Sequence, residues 1–177
     1  SYEALHKSML AGLLGNIGFK PEEEDVYLGA RGIKFHRHPG AHLRKKPGRW
    51  IVCAELVETT RLFGRGIAHI DPQWLEEVGA HLLKKQLLDP HWEKKAAEVV
   101  AFERATLYGL VVYSGRREPL KGTPLGKRLR TLYFGLNSQF VSYSERRAFI
   151  AGHVPYSGDP YTDSVTVRGQ RSTTRRG

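Results

Sequence analysis

Basic side chains are concentrated in one stretch of the chain. Residues 31–65 carry nine lysines and arginines against two acids, a net charge of +7, in a protein of 177 residues whose formal net charge is +10. Such a concentration favours a polyanionic partner, nucleic acid first, although a merely solvated surface is the alternative. The predicted nucleic-acid-binding residues, called the basic set, are Arg31, Lys34, His36, Arg44, Lys45, Lys46, Arg49, Arg61 and Arg65.

Aromatic residues lie among these bases. Tyr27, Phe35 and Trp50 have two interpretations: core residues of a folded domain, or platforms on which nucleic-acid bases stack. The core interpretation is favoured for Phe35 and Trp50, because each belongs to an apolar run typical of a strand.

Histidines in the same stretch raise the question of a metal. His36 and His38 share a strand face at i and i+2, and His42 is nearby, so two of them could act as ligands. No cysteine or carboxylate in this loop completes the set. We therefore predict no metal site, and interpret these residues as partly protonated histidines close to phosphate.

Catalytic motifs are not found. In "GTPLGKRL", residues 122–129, only three residues separate Gly122 from Gly126, and Arg128 stands where a phosphate loop needs Ser or Thr. Cys53 lies inside an apolar strand, where burial makes a thiol inert, and Glu55 and Glu58 fall on opposite strand faces. We predict that this chain has no catalytic residue, binds no cofactor and is not itself an enzyme.

Composition indicates a globular protein, with 40% hydrophobic residues and three tryptophans. Cys53 is the only cysteine, which excludes an intrachain disulfide and suits a reducing cytoplasm. No apolar stretch approaches the roughly 18 residues of a membrane span, so we predict a cytoplasmic protein without a membrane partner. The chain opens on Ser1 and has Met9 as its sole methionine, so we expect it to be a piece cut from a longer chain.

Hydrophobic periodicity predicts a mainly β fold with some helix. We expect a helix over 1–15, a basic loop over 37–49, and a second helix over 70–85 with Asp71 as N-cap and Lys84 and Lys85 in its last turn. The expected strands cover residues 26–28, 33–36, 50–60 and 61–70, with two more within 97–113. On the strand over 50–60, Trp50, Val52, Ala54 and Leu56 are expected to share one face. Several short strands with one capped helix are typical of a small barrel.

After about residue 118 the apolar positions lose a clear period, while Arg, Ser and Thr become frequent. Residues 129–156 are too apolar for a typical disordered tail, whereas the last ten residues are expected to be disordered. A divergent domain, an unrelated fusion and translation in a shifted frame all stay open as the origin of residues 119–177.

Four stretches of the chain form a recognisable combination. They are "LHKSMLAGLLGNIG" (5–18), "YLGARGIKFHRHPGAHLRKKPGRWIVCAELVETTRLFGR" (27–65), "IDPQWLEEVGAHLLKK" (70–85) and "DPHWEKKAAEVVAFERATLYGL" (89–110). Their most specific part combines K-P-x-x-W-x-V-x-x-E-L-V-x-T with I-x-P-x-W-L. Together, over roughly residues 2–113, they resemble the region after the helicase core of bacterial HrpA-type DEAH-box RNA helicases.

The resemblance implies a domain organisation. Residues 1–20 would end a helical-bundle domain, 21–88 would form an OB-like fold, and 89–118 would be a β-rich extension. Residues 119–177 match nothing in the family and form a divergent basic tail. In such helicases the OB-like domain contacts RNA and the motor domains. The motor motifs are absent from this sequence, so ATP and magnesium would belong to motor domains outside the chain.

Three functional hypotheses follow. The first is a non-catalytic accessory region that binds RNA or other single-stranded nucleic acid, with Arg44, Lys45, Lys46 and Arg49 as the contacts that the resemblance transfers. The second is a protein-interaction module that docks on a helicase core through Trp74 and Leu75 or through the first helix. The third is a vestigial fragment without activity, whose exposed Leu13 and Leu14 would promote association.

Overall fold

The computed structural model describes residues 1–41, 48–135 and 142–153. The chain divides into two compact units. The first comprises Ser1–Lys84 with Ala105–Tyr113, and the second comprises Lys85–Arg104 with the chain from Ser114 onward. The domain boundaries expected from the resemblance stay a prediction.

The first unit contains five short strands and two helices. Its elements are α1 (Tyr2–Gly12), β1 (Ile17–Phe19), β2 (Tyr27–Gly29), β3 (Lys34–Arg37), β4 (Trp50–Glu58), β5 (Leu62–His69) and α2 (Pro72–Val78). The strands close a barrel in the order β1-β2-β3-β5-β4. All neighbours are antiparallel except β3 and β5, which pair in parallel through His36 with Phe63 and Arg37 with Gly64. The predicted mainly β fold with a small OB-like barrel is confirmed.

The interior of the barrel is a small apolar cluster that contains the stacked rings of Tyr27 and Phe35. Tyr27, Phe35, Ile51 and Cys53 form a cluster in which no member is more than 1% exposed. A Cβ atom built on Gly64 would lie 2.5 Å from Cys53 Sγ and 3.0 Å from Phe35 Cε2. Only glycine therefore leaves room for Phe35 at this point of β5.

A second apolar cluster lies on the other face of the barrel strands. Leu10 of α1, Leu75 of α2, and Trp50 and Val52 of β4 are buried together there. Lys7 ties the two helices, because its Nζ lies 2.6 Å from Glu77 Oε2. The complete buried set is Leu10, Leu14, Ile17, Trp50, Val52, Ile70, Leu75, Leu107, Leu110 and Val112.

The prediction that Trp50, Val52, Ala54 and Leu56 share one strand face is wrong. Trp50 and Val52 do share a face, but Ala54 is exposed and Leu56 packs against the Phe35 cluster instead. The change of face coincides with Gly66, which stands across from Ala54 with a φ of 62°. A left-handed residue at this point disturbs the alternation of side chains along both strands.

Two helix boundaries also differ from the prediction. The helix expected over 70–85 begins as expected, with Gln73 N–H donating to Asp71 Oδ1 at 2.9 Å and Pro72 in its first turn. It ends at Val78 before Gly79, and Lys84 and Lys85 belong to the next strand. The helix expected over 1–15 ends at Gly12, and the unpredicted β1 at Ile17–Phe19 pairs with β2 and β4.

The second unit holds most of a three-stranded sheet and two helices. The sheet has the order β6 (Lys84–Glu93), β7 (Glu98–Leu107) and β8 (Leu110–Pro119), and the helices are α3 (Pro124–Gly135) and α4 (Tyr143–His153). The buried cluster of this unit comprises Leu87, Val99, Ala101, Leu120, Leu125, Leu129, Tyr133 and Ile150. Leu125, Leu129 and Tyr133 follow a helical period, whereas the apolar positions after about residue 118 were expected to lack one. The tail expected to be disordered, 168–177, lies outside the described residues.

Gly64→Ala is expected to lower the free energy of unfolding by about 1–3 kcal/mol, because the new methyl group overlaps Cys53 Sγ and Phe35. Urea unfolding followed by circular dichroism measures this change. The matched control is Gly12→Ala, whose Cβ would meet nothing within 4 Å and which should leave stability equal or slightly higher. Equal stability of the two variants would contradict this packing.

The Cys53 thiol is expected to be inert in the folded protein. It is fully buried, and burial raises its pKa to about 12. A chromogenic disulfide reagent at about pH 8 should therefore react with Cys53 only after urea unfolds the chain. Because the folded pKa is raised, the thiol contributes stability that is lost as pH rises above about 8.5. Fast stoichiometric reaction without urea would show that the barrel interior is open.

Candidate nucleic-acid interface

Five outward side chains line one side of the barrel, where β3 and β5 run in parallel. The residue pairing of His36 with Phe63 places the outward faces of the two strands side by side. We call this surface the β3/β5 strip, and its members are Lys34, His36, His38, Phe63 and Arg65. It combines two cations, two histidines and one aromatic ring.

Phe63 is the centre of the strip. Its ring centroid lies 6.3 Å from that of His36 and 5.9 Å from that of His38, with the His38 ring edge-on. Arg65 Nη2 lies 3.3 Å from His38 Nε2. The three rings and the guanidinium therefore form one continuous polar and aromatic surface.

A groove of about 440 Å³ adjoins this surface beside Arg65. Its described lining residues are His38, Gly40, Ala41, Arg65, Gly66 and Ile67. Ala41 is the last described residue before Arg44, Lys45 and Lys46. These three members of the basic set, and His42, lie outside the described residues, so their role stays a prediction.

An acidic turn between β1 and β2 faces part of the basic set. Glu22, Glu23, Glu24 and Asp25 are all exposed. Arg49 Nη2 lies 2.6 Å from Glu22 Oε1, and Lys34 Nζ lies 3.7 Å from Glu24 Oε2. Two bases expected to contact nucleic acid are thus near intramolecular carboxylates, an arrangement that the sequence pattern did not indicate.

Lys20 also contributes to this charged region. Its Nζ lies 3.0 Å from Asp25 Oδ1, and its hydrogen bond holds the pKa of the Asp25 carboxyl below its usual value. Asp25 is therefore a carboxylate at neutral pH, and its charge would repel a phosphate placed directly over the acidic turn.

Arg31 has its own partner in the first unit. It adopts a left-handed backbone, with a φ of 58°, between β2 and β3. Its N–H donates to Tyr108 O at 2.8 Å, and its guanidinium carbon lies 4.5 Å from the centroid of the Tyr108 ring. Arg31 therefore belongs to a local contact, and is separate from the β3/β5 strip.

Arg61 and Arg65 differ in their surroundings. Arg61 is exposed in the turn between β4 and β5, where its carbonyl accepts from Thr59 N–H at 2.9 Å. Arg65 Nη1 lies 3.7 Å from Glu55 Oε1, so Glu55 faces Arg65 across the strand pair. Of the nine predicted residues, the structure brings Lys34, His36 and Arg65 together on one strip.

Stacking on Tyr27, Phe35 or Trp50 is contradicted by their burial. Their side chains are 1%, 0% and 8% exposed, and the Tyr27 hydroxyl donates to Gly48 O at 3.0 Å. The aromatic ring that does lie among the outward bases is Phe63. Its signal in the sequence was the alternation of Phe63 and Arg65 along β5.

The metal prediction can be compared with the described ranges. Within residues 1–41, 48–135 and 142–153, no group of three or more His, Cys, Asp or Glu side chains has the arrangement of a metal site. Among the same residues, no helix has the length and apolar character needed to cross a membrane.

The barrel residues match a known family. Residues 5–82 match the family described as oligonucleotide/oligosaccharide-binding (OB)-fold. This range includes the β3/β5 strip and every member of the basic set.

Two curated relatives extend the similarity beyond the barrel. The chain is 46% identical over 116 residues to the ATP-dependent RNA helicase HrpA of Escherichia coli, covering 66% of this chain. It is 44% identical over 115 residues to the ATP-dependent RNA helicase HrpA homolog of Haemophilus influenzae, covering 65% of this chain. In each case the match spans only 9% of the relative's length.

A solved structure with some likeness is the crystal structure of the E. coli DExH-box NTPase HrpB. It has a TM-score of 0.48 and 15% identity, and the match covers 78% of this chain and 17% of that chain. This likeness is below the level that establishes a common fold. The sequence matches alone confirm the predicted resemblance to HrpA-type RNA helicases, with an OB fold over residues 5–82.

Proposed function

We propose that this chain is a non-catalytic accessory region of an ATP-dependent DEAH-box RNA helicase, and that its barrel binds single-stranded RNA without strong sequence choice. The β3/β5 strip is the observation that carries the proposal. It places the cations Lys34 and Arg65 beside the rings of His36, His38 and Phe63. The similarity to helicases named for RNA supports the choice of ligand.

The position of the strip within the barrel agrees with this role. OB folds bind oligonucleotides on the face of strands 2 and 3 and through the loops between strands 1 and 2 and between strands 4 and 5. Lys34 and His36 lie on β3, and Arg61 lies in the turn between β4 and β5. Here the loop between strands 1 and 2 is the acidic turn, so the RNA path would run on the β5 side of β3.

The strip cations are available to phosphate. The Arg65–Glu55 and Lys34–Glu24 pairs are both 3.7 Å long, and both cations are about half exposed, at 47% and 59%. Long, exposed ion pairs contribute at most about 1 kcal/mol, so a phosphate can replace the carboxylate at little cost. The Arg49–Glu22 pair, at 2.6 Å, would be replaced less readily.

Phe63 would supply the stacking surface. Its side chain is partly exposed between His36 and His38. Stacking of a base on an aromatic side chain contributes about 1–3 kcal/mol and depends little on the identity of the base. The combination of phosphate charge and one ring accounts for binding without sequence readout.

The double substitution Lys34→Gln and Arg65→Gln is expected to weaken binding of a labelled oligouridylate of roughly 16 nucleotides, an upper site size for one OB fold. Loss of the two phosphate-binding cations should lower the affinity on the order of ten-fold at low salt and reduce the slope of log K against log salt by about 1.4, which is about 0.7 for each contact. Fluorescence anisotropy over a series of salt concentrations measures both quantities.

The matched control is Lys84→Gln with Lys85→Gln, which removes the same charge from exposed positions outside the strip. The control should bind like the unaltered chain. Equal weakening of both variants would show that the strip has no special role, and RNA affinity that does not depend on salt would overturn the proposed function.

The remaining parts of the assignment belong to the same proposal. ATP and magnesium would be bound by motor domains outside this chain, and the chain itself would use no cofactor. Arg44, Lys45 and Lys46 are proposed as further phosphate contacts on the basis of the sequence alone. The motor domains are a proposed second partner, and the proposed location is the cytoplasm.

One observation favours a role in protein interaction as a second candidate. Tyr2, Leu5 and Met9 lie at helical spacing on α1 and are 57%, 61% and 47% exposed. Of the alternative docking surface around Trp74 and Leu75, Leu75 is excluded because it is fully buried, whereas Trp74 is partly exposed and packs against the cluster that contains Leu10. Leu14 is also buried, so it cannot promote the association that was expected of a vestigial fragment with exposed Leu13 and Leu14.

Leu5→Lys is expected to abolish capture of the motor domains of a HrpA-type helicase at high salt if α1 is a docking surface. The reason is that a charge in a buried apolar contact carries a large desolvation cost. Ala11→Lys, also at an exposed position on α1, is the control and should not affect capture. Capture that is equal for both variants would remove this candidate.

A further inference from the structure

A cavity of about 380 Å³ lies in the second unit beside the first turns of α3. Its size falls within the range of ligand pockets. The lining residues are Trp92, Ala97, Glu98, Val99, Leu120, Lys121, Gly122, Gly126, Lys127 and Arg130. We call it the α3 cavity. It lies outside residues 5–82, so the OB-fold family assigns no role to it.

The cavity is built by a tight turn. Thr123 N–H donates to Leu120 O at 3.1 Å, and Gly122 supplies the positive φ, 83°, that this turn requires. A Cβ atom on Gly126 would lie 2.0 Å from Leu120 O, so only glycine lets α3 approach the turn this closely. The turn and the helix thereby fix the backbones of Lys121 and Lys127 on one cavity wall.

The cavity carries an excess of positive charge. Residues 119–135 contain four bases and no acid, and Lys121, Lys127 and Arg130 are exposed. Among the described residues, Lys121 and Lys127 pair with no carboxylate, and Arg130 is placed 5.8 Å from the centroid of the Phe134 ring. The one lining acid is already engaged, because Glu98 Oε1 accepts from Arg117 Nη2 at 2.7 Å.

The backbone N–H groups of Gly126 and Lys127, in the first turn of α3, are not available to an anion. Thr123 Oγ1 accepts from Gly126 N–H at 3.0 Å, and Thr123 O accepts from Lys127 N–H at 3.0 Å. Recognition of an anion here therefore depends on the side chains of Lys121, Lys127 and Arg130, which is typical of phosphate contacts without sequence readout.

One aromatic residue, Trp92, is among the lining residues of the cavity. Trp92 is held in place by Tyr133, whose ring is nearly parallel to it at a centroid distance of 5.8 Å, and by the edge-on Phe134 ring at 5.1 Å. The Tyr143 hydroxyl donates to the Trp92 carbonyl, which fixes the strand at this point. A fixed indole beside several cations is the arrangement on which single-stranded nucleic acids stack.

We infer that the α3 cavity is a second single-stranded RNA contact, in which Lys121, Lys127 and Arg130 bind phosphate while Trp92 stacks on a base. The choice of RNA as the ligand rests on the proposed function. The cavity itself is independent of the barrel, because all its lining residues belong to the second unit.

The test uses the full chain, the same oligouridylate of roughly 16 nucleotides, and anisotropy over a salt series. Lys121→Gln with Lys127→Gln should lower the affinity on the order of ten-fold at low salt and reduce the salt slope by about 1.4, which corresponds to two phosphate contacts. Lys84→Gln with Lys85→Gln removes the same charge elsewhere and should behave like the unaltered chain. Circular dichroism confirms that each variant is folded, and the two single lysine variants replace the double variant if it is not.

Each outcome decides one of the two proposals. Weakening by the α3 variant and not by the control supports the second contact, even if the variant of Lys34 and Arg65 binds normally. Weakening only by the variant of Lys34 and Arg65 overturns the second contact and leaves the proposed function in place. A chain that binds no oligouridylate at low salt overturns both.

Discussion

The structure of the barrel depends on the burial of one phenylalanine. Phe35 is fully buried, and three strands approach its ring at glycine positions. A Cβ atom would lie 2.4 Å from Phe35 Cζ if built on Gly18, 3.2 Å from Phe35 Cε1 if built on Gly29, and 3.0 Å from Phe35 Cε2 if built on Gly64. Three glycines on different strands thus leave the space that the Phe35 ring occupies. The ring in turn gives the short strands an apolar core.

The outward surface follows from this inward packing. Because Phe35 points into the barrel, Lys34 and His36 must point outward, and the parallel pairing with β5 brings Phe63 and Arg65 beside them. The acidic turn before β2 limits the positive area by taking up Arg49 and by facing Lys34. Among the described bases of residues 31–65, Lys34 and Arg65 lie on the β3/β5 strip, whereas Arg31, Arg49 and Arg61 lie elsewhere on the barrel.

Most strands of the barrel could be predicted because sequence patterns reflect interactions between residues that are close together in the chain. The alternation over β4 and β5 and the Asp71-Pro72 start of α2 each depend on residues close together in the chain. The face of Ala54 was missed because it depends on Gly66 across the sheet. The start of β6 is ambiguous in the sequence because Lys84 and Lys85 fit a last helical turn equally well, and β1 is too short, at three residues, for a period to show.

The candidate site was only partly predictable for the same reason. Lys34, His36 and Arg65 were found because bases are visible in any sequence, whereas the pairing of Arg49 with Glu22 and of Arg31 with Tyr108 depends on how distant segments meet. The α3 cavity combines Trp92 with Lys121 and Lys127, which lie about 30 residues further along the chain. The stretch "GTPLGKRL" lacks the spacing of a phosphate loop, so its sequence did not indicate a phosphate-binding site. The close approach at Gly126 is visible only in the fold.

Amide chemical-shift changes during titration of the full chain with an oligouridylate would locate the RNA-binding surface residue by residue. We predict that the largest changes in the barrel fall on residues 34–38 and 63–65, with smaller changes in the acidic turn, and that they fade as salt is raised. Changes confined to α1 and α2, or none at low salt, would contradict the assignment of the β3/β5 strip as an RNA-binding surface.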